Sequence, residues 1–599
     1  MQETGVNHKR FIKKLSRFTD KRLNYLGILL LAAGMLLSCG IGMHAVQMAL
    51  TEQIRFCVRH DGQTDTISLW EEKNADGGSL YYLFLPSYAN LSDVTIKTAD
   101  HKAVSIGDQT LQSGQNLSSL TEQKTYSLQF GKSDGSFTII RSADIAAVFI
   151  DTEGDSLEAV NADKSNTAMV NIDVYSADGN ILYQSDRDYT TKFHGRGNST
   201  WLCEKKPYRI TFTDDVDLFG MGASRKWNLL ANAYDETQMR NKLAYDFANQ
   251  SDTLWAPSSQ YVDIYVDDEY QGLYLLTESI EVSKARLDIP KDAILFLANY
   301  ENHWDTDSIG FYTDSGKCIQ LEDSSVPTSE KAALLKEKLN ALEMAIARQD
   351  PSIEEMIDFD SWADLYLLYE AFLNGEMELN STYFWWDVNG DGLIHAGPVW
   401  DFDLSLGNDN SIWTTAYSSP TLLLVSDELY SWFPGLMDVD TFRERVVSRY
   451  ENKMRPLLSQ LTDTGTTQLE DTIRSARAMD DIRWEGRLNK VSEDSAAATD
   501  RMREFMENRI RFLDDYWLNS ENRSLTQSKK ADADQYDAAE SESSLEQPDS
   551  EASAGNRYLT LVLAVLREYG FILCVFGLFG LTGITLLLID RQREKKAGK

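Results

Sequence analysis

The chain has 599 residues, a net charge of −35 and an aromatic content of 11%. This length predicts more than one folded unit, and the aromatic content predicts a substantial hydrophobic core rather than a disordered acidic protein. The charge excludes nucleic acid as a partner, because a second polyanion would be repelled.

Apolar segments with basic flanks lie near both ends of the chain. Residues 26–46 follow a basic tail, 1–25, and residues 569–589 precede a second basic tail, 590–599. Each segment has about the 20 residues that a transmembrane helix needs, and basic flanks stay in the cytoplasm. The sequence therefore predicts a two-pass protein of the cell membrane, with both termini cytoplasmic and the large middle part outside. A cleaved lipoprotein signal is the alternative for the first segment, since LLSC ends at Cys39.

The pattern changes along the middle part of the chain. Residues 52–145 contain short β-branched and aromatic runs separated by Gly, Asn, Asp and Ser clusters, which predict a small antiparallel β-sandwich. Residues 146–518 mix strand-like and helix-like runs, and they predict an α+β unit with two lobes. Residues 519–556 are polar and acidic with few large apolar side chains, so they predict a disordered linker.

The first motif of the α+β unit is a glycine-rich turn with basic neighbours, in the stretch YTTKFHGRGNSTWLCEKKPYRITF. Gly195 and Gly197 flank Arg196, and Lys206 follows in the same stretch. A glycine-rich turn lets backbone N–H groups approach an anion, and basic side chains add attraction. The pattern indicates an anion site, and a tight hairpin with surface lysines is the alternative interpretation.

A helical pattern follows in LLANAYDETQMRNKLAYDFA, where apolar residues recur every four positions. Asp235 or Thr237 is placed to cap a helix that begins at about Glu236. Arg240 lies on this helix and is available for an ion pair. By itself the stretch is typical of an ordinary amphipathic helix.

The stretch DVNGDG, residues 387–392, resembles the start of a calcium-binding loop. Pro398 stands at the twelfth position, where that loop needs an acidic residue, so the calcium pattern fails. The stretch instead predicts a hairpin turn between the strands STYFWW and GLIHAGPVW.

The most informative stretch is GPVWDFDLSLGN, residues 397–408. If its centre is extended, Asp401 and Asp403 share one face and the flanking apolar side chains share the other. Two close carboxylates repel each other unless a cation lies between them, and oxygen ligands suit Mg²⁺, Mn²⁺ or Ca²⁺. Glu376, Glu378 and Asn380 lie upstream, where a loop could bring them beside Asp401. The spacing predicts a metal site, and an exposed strand with hydrated acids is the alternative.

Four stretches together resemble the CotH family, the spore-coat protein H-like proteins, over residues 146–520: HGRGNSTW…KKPYRITF, LFGMGASRKWNLLANAYDETQMRNKLAYD, YVDIYVDDEYQGLYLLTESIEV and GPVWDFDLSLGN. The resemblance implies an atypical protein-kinase-like fold that binds ATP and a divalent metal, Mg²⁺ or Mn²⁺, with Ca²⁺ as a further candidate. Some members phosphorylate serine residues of surface proteins, and many have no demonstrated activity. The expected fold class is therefore α+β, with a bilobal atypical kinase-like domain preceded by a small all-β sandwich and flanked by two transmembrane helices.

The resemblance also implies roles for single residues. Asp401 of WDFD looks like the metal-binding aspartate that does the work of the kinase D-F-G aspartate. In the loop before STYFWW the family usually has Asn-x-Asp, with the Asp as candidate catalytic base, and this chain has Asn374, Gly375 and Glu376 there. The candidate residues are catalytic Glu376 and Asp401, ATP-binding Lys206, Arg196 and Arg240, and metal-binding Asp401, Asp403 and Asn380.

Two functions stay open at this point. The first is a membrane-anchored, outward-facing phosphotransferase that phosphorylates Ser or Thr of surface or coat proteins. The second is a non-catalytic scaffold, a pseudokinase, that organises envelope or spore-coat proteins. The choice depends on Glu376, whose carboxylate lies one methylene further from the backbone than that of aspartate, because a general base must be placed to within about an ångström.

Overall fold

The computed structural model describes residues 50–519, except positions 75, 155, 301–302, 304–307, 323–326, 409–421, 424–431 and 485–494. The predicted transmembrane segments, 26–46 and 569–589, lie outside the described residues, as do both basic tails and the predicted linker beyond residue 519. Within the described residues, no helix is long and apolar enough to cross a membrane.

The N-terminal part of the described chain consists of short strands in two sheets. The elements are α1 (Leu50–Gln53), β1 (Ile54–His60), β2 (Gln63–Ser68), β3 (Trp70–Lys73), β4 (Ser79–Leu85), β5 (Val94–Thr98), a 3₁₀ turn (Ala99–His101), β6 (Val104–Ile106), β7 (Gln109–Leu111), β8 (Thr125–Phe130) and β9 (Ser133–Arg141). The strand orders are β2-β1-β5 and β3-β4-β9-β8-β6-β7. β4 and β9 run parallel, so this part is not the purely antiparallel sandwich that the sequence predicts.

The core of this N-terminal part extends beyond its own sheets. Alternate residues of β1 are buried, as a strand with one face on a core requires: Ile54, Phe56 and Val58. The same core includes Ala147 and Tyr265, which belong to the next part of the chain. The N-terminal strands are therefore packed onto the rest of the protein through a shared core.

A second, larger sheet follows. Its elements are β10 (Ala146–Asp151), α2 (Leu157–Ala162), β11 (Thr167–Tyr175), β12 (Ile181–Gln184), β13 (Thr191–Gly195), a 3₁₀ turn (Ser199–Leu202), β14 (Tyr208–Asp217), β15 (Ala223–Leu230), α3 (Arg240–Gln250), β16 (Ser259–Val266) and β17 (Glu269–Glu278). The strand order is β10-β16-β17-β15-β14-β13-β11-β12, and β10 also pairs with β11.

The remaining described residues form a third sheet region with most of the helices. The strands are β18 (Ile294–Ala298), β19 (Gly310–Tyr312), β20 (Cys318–Leu321), β21 (Thr382–Trp386) and β22 (Ile394–Ala396), in the order β19-β20-β18-β21-β22. The helices are α4 (Ser329–Arg348), a 3₁₀ turn (Pro351–Glu355), α5 (Phe359–Phe372), α6 (Trp432–Met437), α7 (Asp440–Arg449), α8 (Arg455–Gln460), α9 (Thr466–Trp484) and α10 (Ser495–Leu518), with π-helical turns at Tyr450–Met454 and Leu461–Gly465.

The architecture predicted from the sequence, a separate sandwich followed by a bilobal domain, is wrong, although the structure is of the mixed α+β kind. The described residues up to Leu518 belong to one compact unit of mixed α+β structure with several sheets, rather than a sandwich followed by a separate bilobal domain. The helices of this unit are amphipathic or buried in its core, and none of those described meets the length and apolarity of a membrane span.

The hairpin predicted from DVNGDG is confirmed. β21 and β22 pair antiparallel, with Trp385 opposite His395, and their rings stack with centroids 4.1 Å apart. The Asp387 carboxylate accepts the backbone N–H of Gly390 at 3.0 Å, which closes the turn.

Helix α5 places the loop that precedes this hairpin. Asp358 caps its first turn by accepting the backbone N–H of Ser361 at 3.1 Å. The helix is buried on nearly every side, which requires its mostly apolar sequence. It ends at Phe372, and the next residue, Leu373, has a left-handed φ of +50°, so Asn374 and Glu376 lie just beyond the helix terminus.

Helix α3 begins later than the sequence predicts. It starts at Arg240, because Gln238 has a φ of +61° that an α-helix excludes. The Asp235 carboxylate instead organises the preceding turn, accepting the backbone N–H groups of Thr237 and Arg240 at 3.0 and 2.9 Å. Asp235 is therefore a hydrogen-bond acceptor as predicted, but it stabilises the turn before the helix.

A buried ion pair joins α9 to the second sheet. Lys205 Nζ lies 2.6 Å from Asp480 Oδ1, and both side chains are almost completely buried. Asp480 also accepts the backbone N–H of Leu273 at 2.8 Å and a hydrogen bond from Gln238. Gly272 permits this close approach, because a Cβ at that position would lie 2.3 Å from Asp480 Oδ1.

The substitution Gly272→Ala is expected to lower the free energy of unfolding by roughly 2–3 kcal/mol, since it combines backbone strain with a clash. The φ of Gly272 is +121°, and the clash falls on a carboxylate that cannot move without losing its buried partners. Urea denaturation of both proteins measures the loss. Gly220→Ala is the matched control, because Gly220 also has a positive φ, +71°, but no atom within 4 Å of the added Cβ. Equal losses in both variants would exclude the clash as the cause.

Candidate functional site

A cavity of about 710 Å³ lies where β13, β14, α3 and the sheet containing β21 meet, and we call it the central cavity. Cavities of roughly 300–1,000 Å³ are typical of small-molecule sites. Its lining residues of the Lys, Arg, His, Asp and Glu types are Lys164, Lys192, His194, Arg196, Arg209, His303, Glu322, Glu376, Asp401 and Asp403.

The charges of the central cavity are separated by position. Most of the basic side chains come from β13, β14 and the glycine-rich turn between them, and they include Lys192, Arg196 and Arg209. Most of the acidic side chains come from the loops that follow α5 and β22, and they include Glu376 and Asp401. An anion with a bound cation fits such a cavity. The basic wall attracts the anion, and the acidic wall attracts the cation.

The segment 399–404 is irregular rather than the predicted strand. Asp401 has a φ of +67°, a left-handed conformation that an extended strand excludes. Phe402 is completely buried, with its ring centroid 4.9 Å from that of Tyr369. The predicted alternation of faces is therefore wrong, although both Asp401 and Asp403 do line the central cavity.

Asp401 is fixed by two polar side chains. Ser381 Oγ donates to Asp401 Oδ2 at 3.0 Å, and Asn374 Nδ2 donates to the Asp401 backbone oxygen at 3.1 Å. Desolvation raises the pKa of Asp401, although the Ser381 hydrogen bond and the positive charge of Arg196 oppose this rise. The positive charge near Asp401 therefore does not offset the cost of burying its carboxylate. A bound cation would add positive charge and stabilise the ionised form.

Glu376 and Asp403 share this electrostatic environment. Burial raises the pKa of Glu376 to about 7, the charge of Asp401 contributes further, and a hydrogen bond from Asn380 opposes the rise. Asn380 Nδ2 donates to Glu376 Oε1 at 3.3 Å, and Asn380 Oδ1 lies 3.1 Å from His303 Nδ1. Burial also raises the pKa of Asp403 well above its ordinary value, with added repulsion from Asp401 and Glu376.

The glycine-rich turn is shaped by its aromatic neighbours. A Cβ on Gly195 would lie 2.2 Å from the Trp201 ring, and Gly197 has a φ of +83°, so both positions need glycine. The guanidinium of Arg196 lies 5.3 Å from the centroid of Trp400, which precedes Asp401. Burial lowers the pKa of Arg196 to about 10, so it stays cationic at neutral pH.

Two predicted phosphate-binding residues are not among the lining residues of the central cavity. Lys206 Nζ donates to the backbone oxygen of Trp201 at 2.8 Å and lies 4.5 Å from its ring centroid. Arg240 is buried, forms an ion pair with Asp235, and donates through Nε to the Ser405 backbone oxygen at 2.8 Å. Lys206 thus fixes the glycine-rich turn, and Arg240 fixes the segment after Asp403. A direct role of either residue in binding a ligand stays a prediction.

Sequence reasoning gave no role to three residues that shape the central cavity: Asn374, Ser381 and Tyr245. Asn374 and Ser381 hold Asp401, as described, and a signal for Asn374 existed in its position before Glu376. The ring of Tyr245 stacks on Trp400 with centroids 5.8 Å apart. Burial and then the charge of Asp401 raise the pKa of Tyr245 well above its ordinary value. Nothing in the pattern of a helical stretch distinguishes such a tyrosine from a core residue.

The fold and the cavity define a mixed α+β protein with a site that sets acidic against basic residues. A family model described as CotH kinase protein matches residues 193–513, more than half of the chain. The chain belongs to the CotH kinase protein family. The match confirms the resemblance seen in the sequence motifs, and it makes this a CotH-like, kinase-related protein. A search among curated proteins found no match.

Proposed function

We propose that this protein is a phosphotransferase that moves the γ-phosphoryl group of ATP to a serine or threonine hydroxyl of a surface or coat protein, with Mg²⁺ or Mn²⁺. The observation that carries this proposal is the central cavity, where Glu376, Asp401 and Asp403 face Arg196 and its basic neighbours. A triphosphate with a divalent cation matches both walls. The family match supports kinase-like chemistry in general.

The donor set of the cavity fits a divalent cation that keeps most of its own ligands. In the described residues, no group of three or more His, Cys, Asp or Glu side chains could hold a metal alone. Mg²⁺ needs only one or two carboxylates, because waters and phosphate oxygens complete its shell, whereas Ca²⁺ takes 6–8 oxygens. Asp401 and Asp403, with the amide oxygen of Asn380 nearby, would hold the ion. When bound, the ion would neutralise charge on the phosphate oxygens.

The residues of the chain divide the work of the proposed reaction. Arg196 binds phosphate oxygens from the basic wall, and Asp401 is held in place by Ser381 and Asn374. Glu376 accepts the proton of the acceptor hydroxyl. The acceptor oxygen forms the new bond to phosphorus, the bridging P–O bond breaks, and its electron pair leaves with ADP.

Titration of the full-length protein with ATP, with and without Mg²⁺ or Mn²⁺, tests the proposal, followed by transfer of labelled phosphate to serine-containing proteins. We expect metal-dependent binding with a dissociation constant of about 1–100 µM, in the range common for enzyme substrates. Absence of nucleotide binding under all metal conditions would end the proposal. Binding without transfer would instead support the non-catalytic scaffold for envelope or coat proteins.

A further inference from the structure

Two buried hydrogen-bond donors in the wall of the central cavity have no partner among the described residues. They are Nε of Arg196 and the hydroxyl of Tyr245, and both residues line the cavity. The side chain of Tyr245 is completely buried. Buried polar groups are rarely left without a hydrogen bond, because water no longer compensates them. Such groups in a cavity wall are therefore available to bind a ligand.

Both donors are held in position without a ligand. The Trp400 ring stacks on Tyr245 at an interplanar angle of 14°, and the guanidinium of Arg196 packs on the same Trp400 ring. Tyr245 lies on α3, which is tied to the acidic segment because Asn241 Oδ1 accepts the backbone N–H of Phe402 at 2.8 Å. The two donors are thus fixed relative to Asp401 before anything binds, which reduces the entropy lost on binding.

The chemistry of these groups limits the ligand to one class. A guanidinium can only donate, and the Tyr245 phenol keeps its proton at neutral pH, because burial raises its pKa well above the ordinary value. The Asp401 carboxylate accepts from Ser381 instead. A ligand that satisfies these donors must bring several acceptor oxygens and negative charge, as a phosphoryl group does.

We propose that Tyr245 is a phosphate-binding residue that acts with Arg196 to hold a phosphoryl group beside Asp401. The identity of the ligand, a nucleotide phosphate, rests on the proposed function. The binding of an anion by Tyr245 and Arg196 can be tested separately. It assigns a direct ligand contact to a tyrosine that would otherwise count as part of the core.

The test compares Tyr245→Phe with Tyr208→Phe in the full-length protein, by titration with ATP and with tripolyphosphate in the presence of Mg²⁺. Tyr208 is the matched control, because it is also buried but donates its hydroxyl proton to Asn161 Oδ1 at 2.9 Å. We expect Tyr245→Phe to weaken both ligands by about 10-fold, the loss of one charge-assisted hydrogen bond, with Tm unchanged or raised. Tyr208→Phe should lower Tm and leave both affinities unchanged.

The outcomes separate this inference from the proposed function. If the wild-type protein binds ATP and Tyr245→Phe binds it equally well, the inference is overturned and the function stands. If wild type binds tripolyphosphate but not ATP, and Tyr245→Phe weakens that binding, the inference stands and the nucleotide function fails. If wild type binds neither, both are overturned. A lower Tm of Tyr245→Phe would show that the hydroxyl has a structural partner, which also overturns the inference.

Discussion

Replacing Asp401 with asparagine is expected to reduce phosphoryl transfer by about 100- to 1,000-fold, the usual loss when one electrostatic group of an active site is removed. The same change is expected to raise the stability of the metal-free protein at neutral pH. The pKa of Asp401 is raised in the folded state, so its charged form is less favourable there than in the unfolded chain. Asparagine keeps an oxygen that can accept from Ser381 and removes the charge.

The control for Asp401→Asn is Asp252→Asn, which should change stability in the opposite direction. Asp252 forms ion pairs with Arg449 and Lys453, at 2.5 and 2.9 Å, and these partners lower the pKa of Asp252. Its charge therefore favours the folded state at neutral pH, and its removal should slightly lower Tm without affecting transfer. Transfer rates and thermal unfolding at pH 7 measure both effects. An Asp401→Asn protein with normal transfer would show that Asp401 does not serve the reaction.

The site was predictable where a local pattern carries the chemistry. Asp401 and Asp403 were found because two acids one residue apart in an apolar run are unusual, and the structure brings both to the central cavity. The hairpin between β21 and β22 was predicted because the Asp, Asn and Gly residues of DVNGDG are typical of tight turns. The backbone conformation was not predictable in the same way. Asp401 adopts a left-handed φ because Asn374 and Ser381, distant in sequence, hold it there.

What the sequence could not supply was the neighbourhood of each side chain. Lys205 and Lys206 are adjacent in sequence. Lys205 forms a buried ion pair with Asp480, far along the chain, whereas Lys206 donates to a backbone oxygen in the stretch that contains the glycine-rich turn. Neither orientation follows from local spacing. The N-terminal strands were taken for a separate module because a purely strand-like pattern changes near residue 145 to a mixture of strand-like and helix-like runs. Their shared core, however, depends on contacts with Tyr265 and Met479.

The acidic wall depends on helix ends for its shape. Asn374 follows the end of α5, and its amide also accepts the backbone N–H of Glu376 at 3.1 Å, so one side chain ties Glu376 to Asp401. Asn241 at the start of α3 holds Phe402 from the other side. A shift of either helix would therefore change the separation of the proposed base and the proposed metal ligand together.

Replacing Glu376 with glutamine is expected to lower the rate of phosphoryl transfer by about 100- to 10,000-fold, the contribution of a positioned general base. Burial raises the pKa of Glu376 to about 7, and a base must be deprotonated. The wild-type rate should therefore rise as the pH increases through about 7, and this rise should disappear in Glu376→Gln. Rates between pH 5.5 and 8.5 measure both effects, with Glu444→Gln on the exposed face of α7 as the control.

The stability of Glu376→Gln provides an independent check of the same pKa. Because the folded-state pKa is raised above the ordinary 4.5, folded protein holds this proton more tightly than unfolded protein, and the wild type loses stability as the pH rises from 4.5 to about 7. Glutamine does not ionise, so the variant should gain stability relative to wild type across that interval and keep the gain above it. Denaturation at pH 5 and pH 8 measures the difference. A lost rate without this relative gain would mean that Glu376 positions other groups, whereas both changes together identify it as the titrating base.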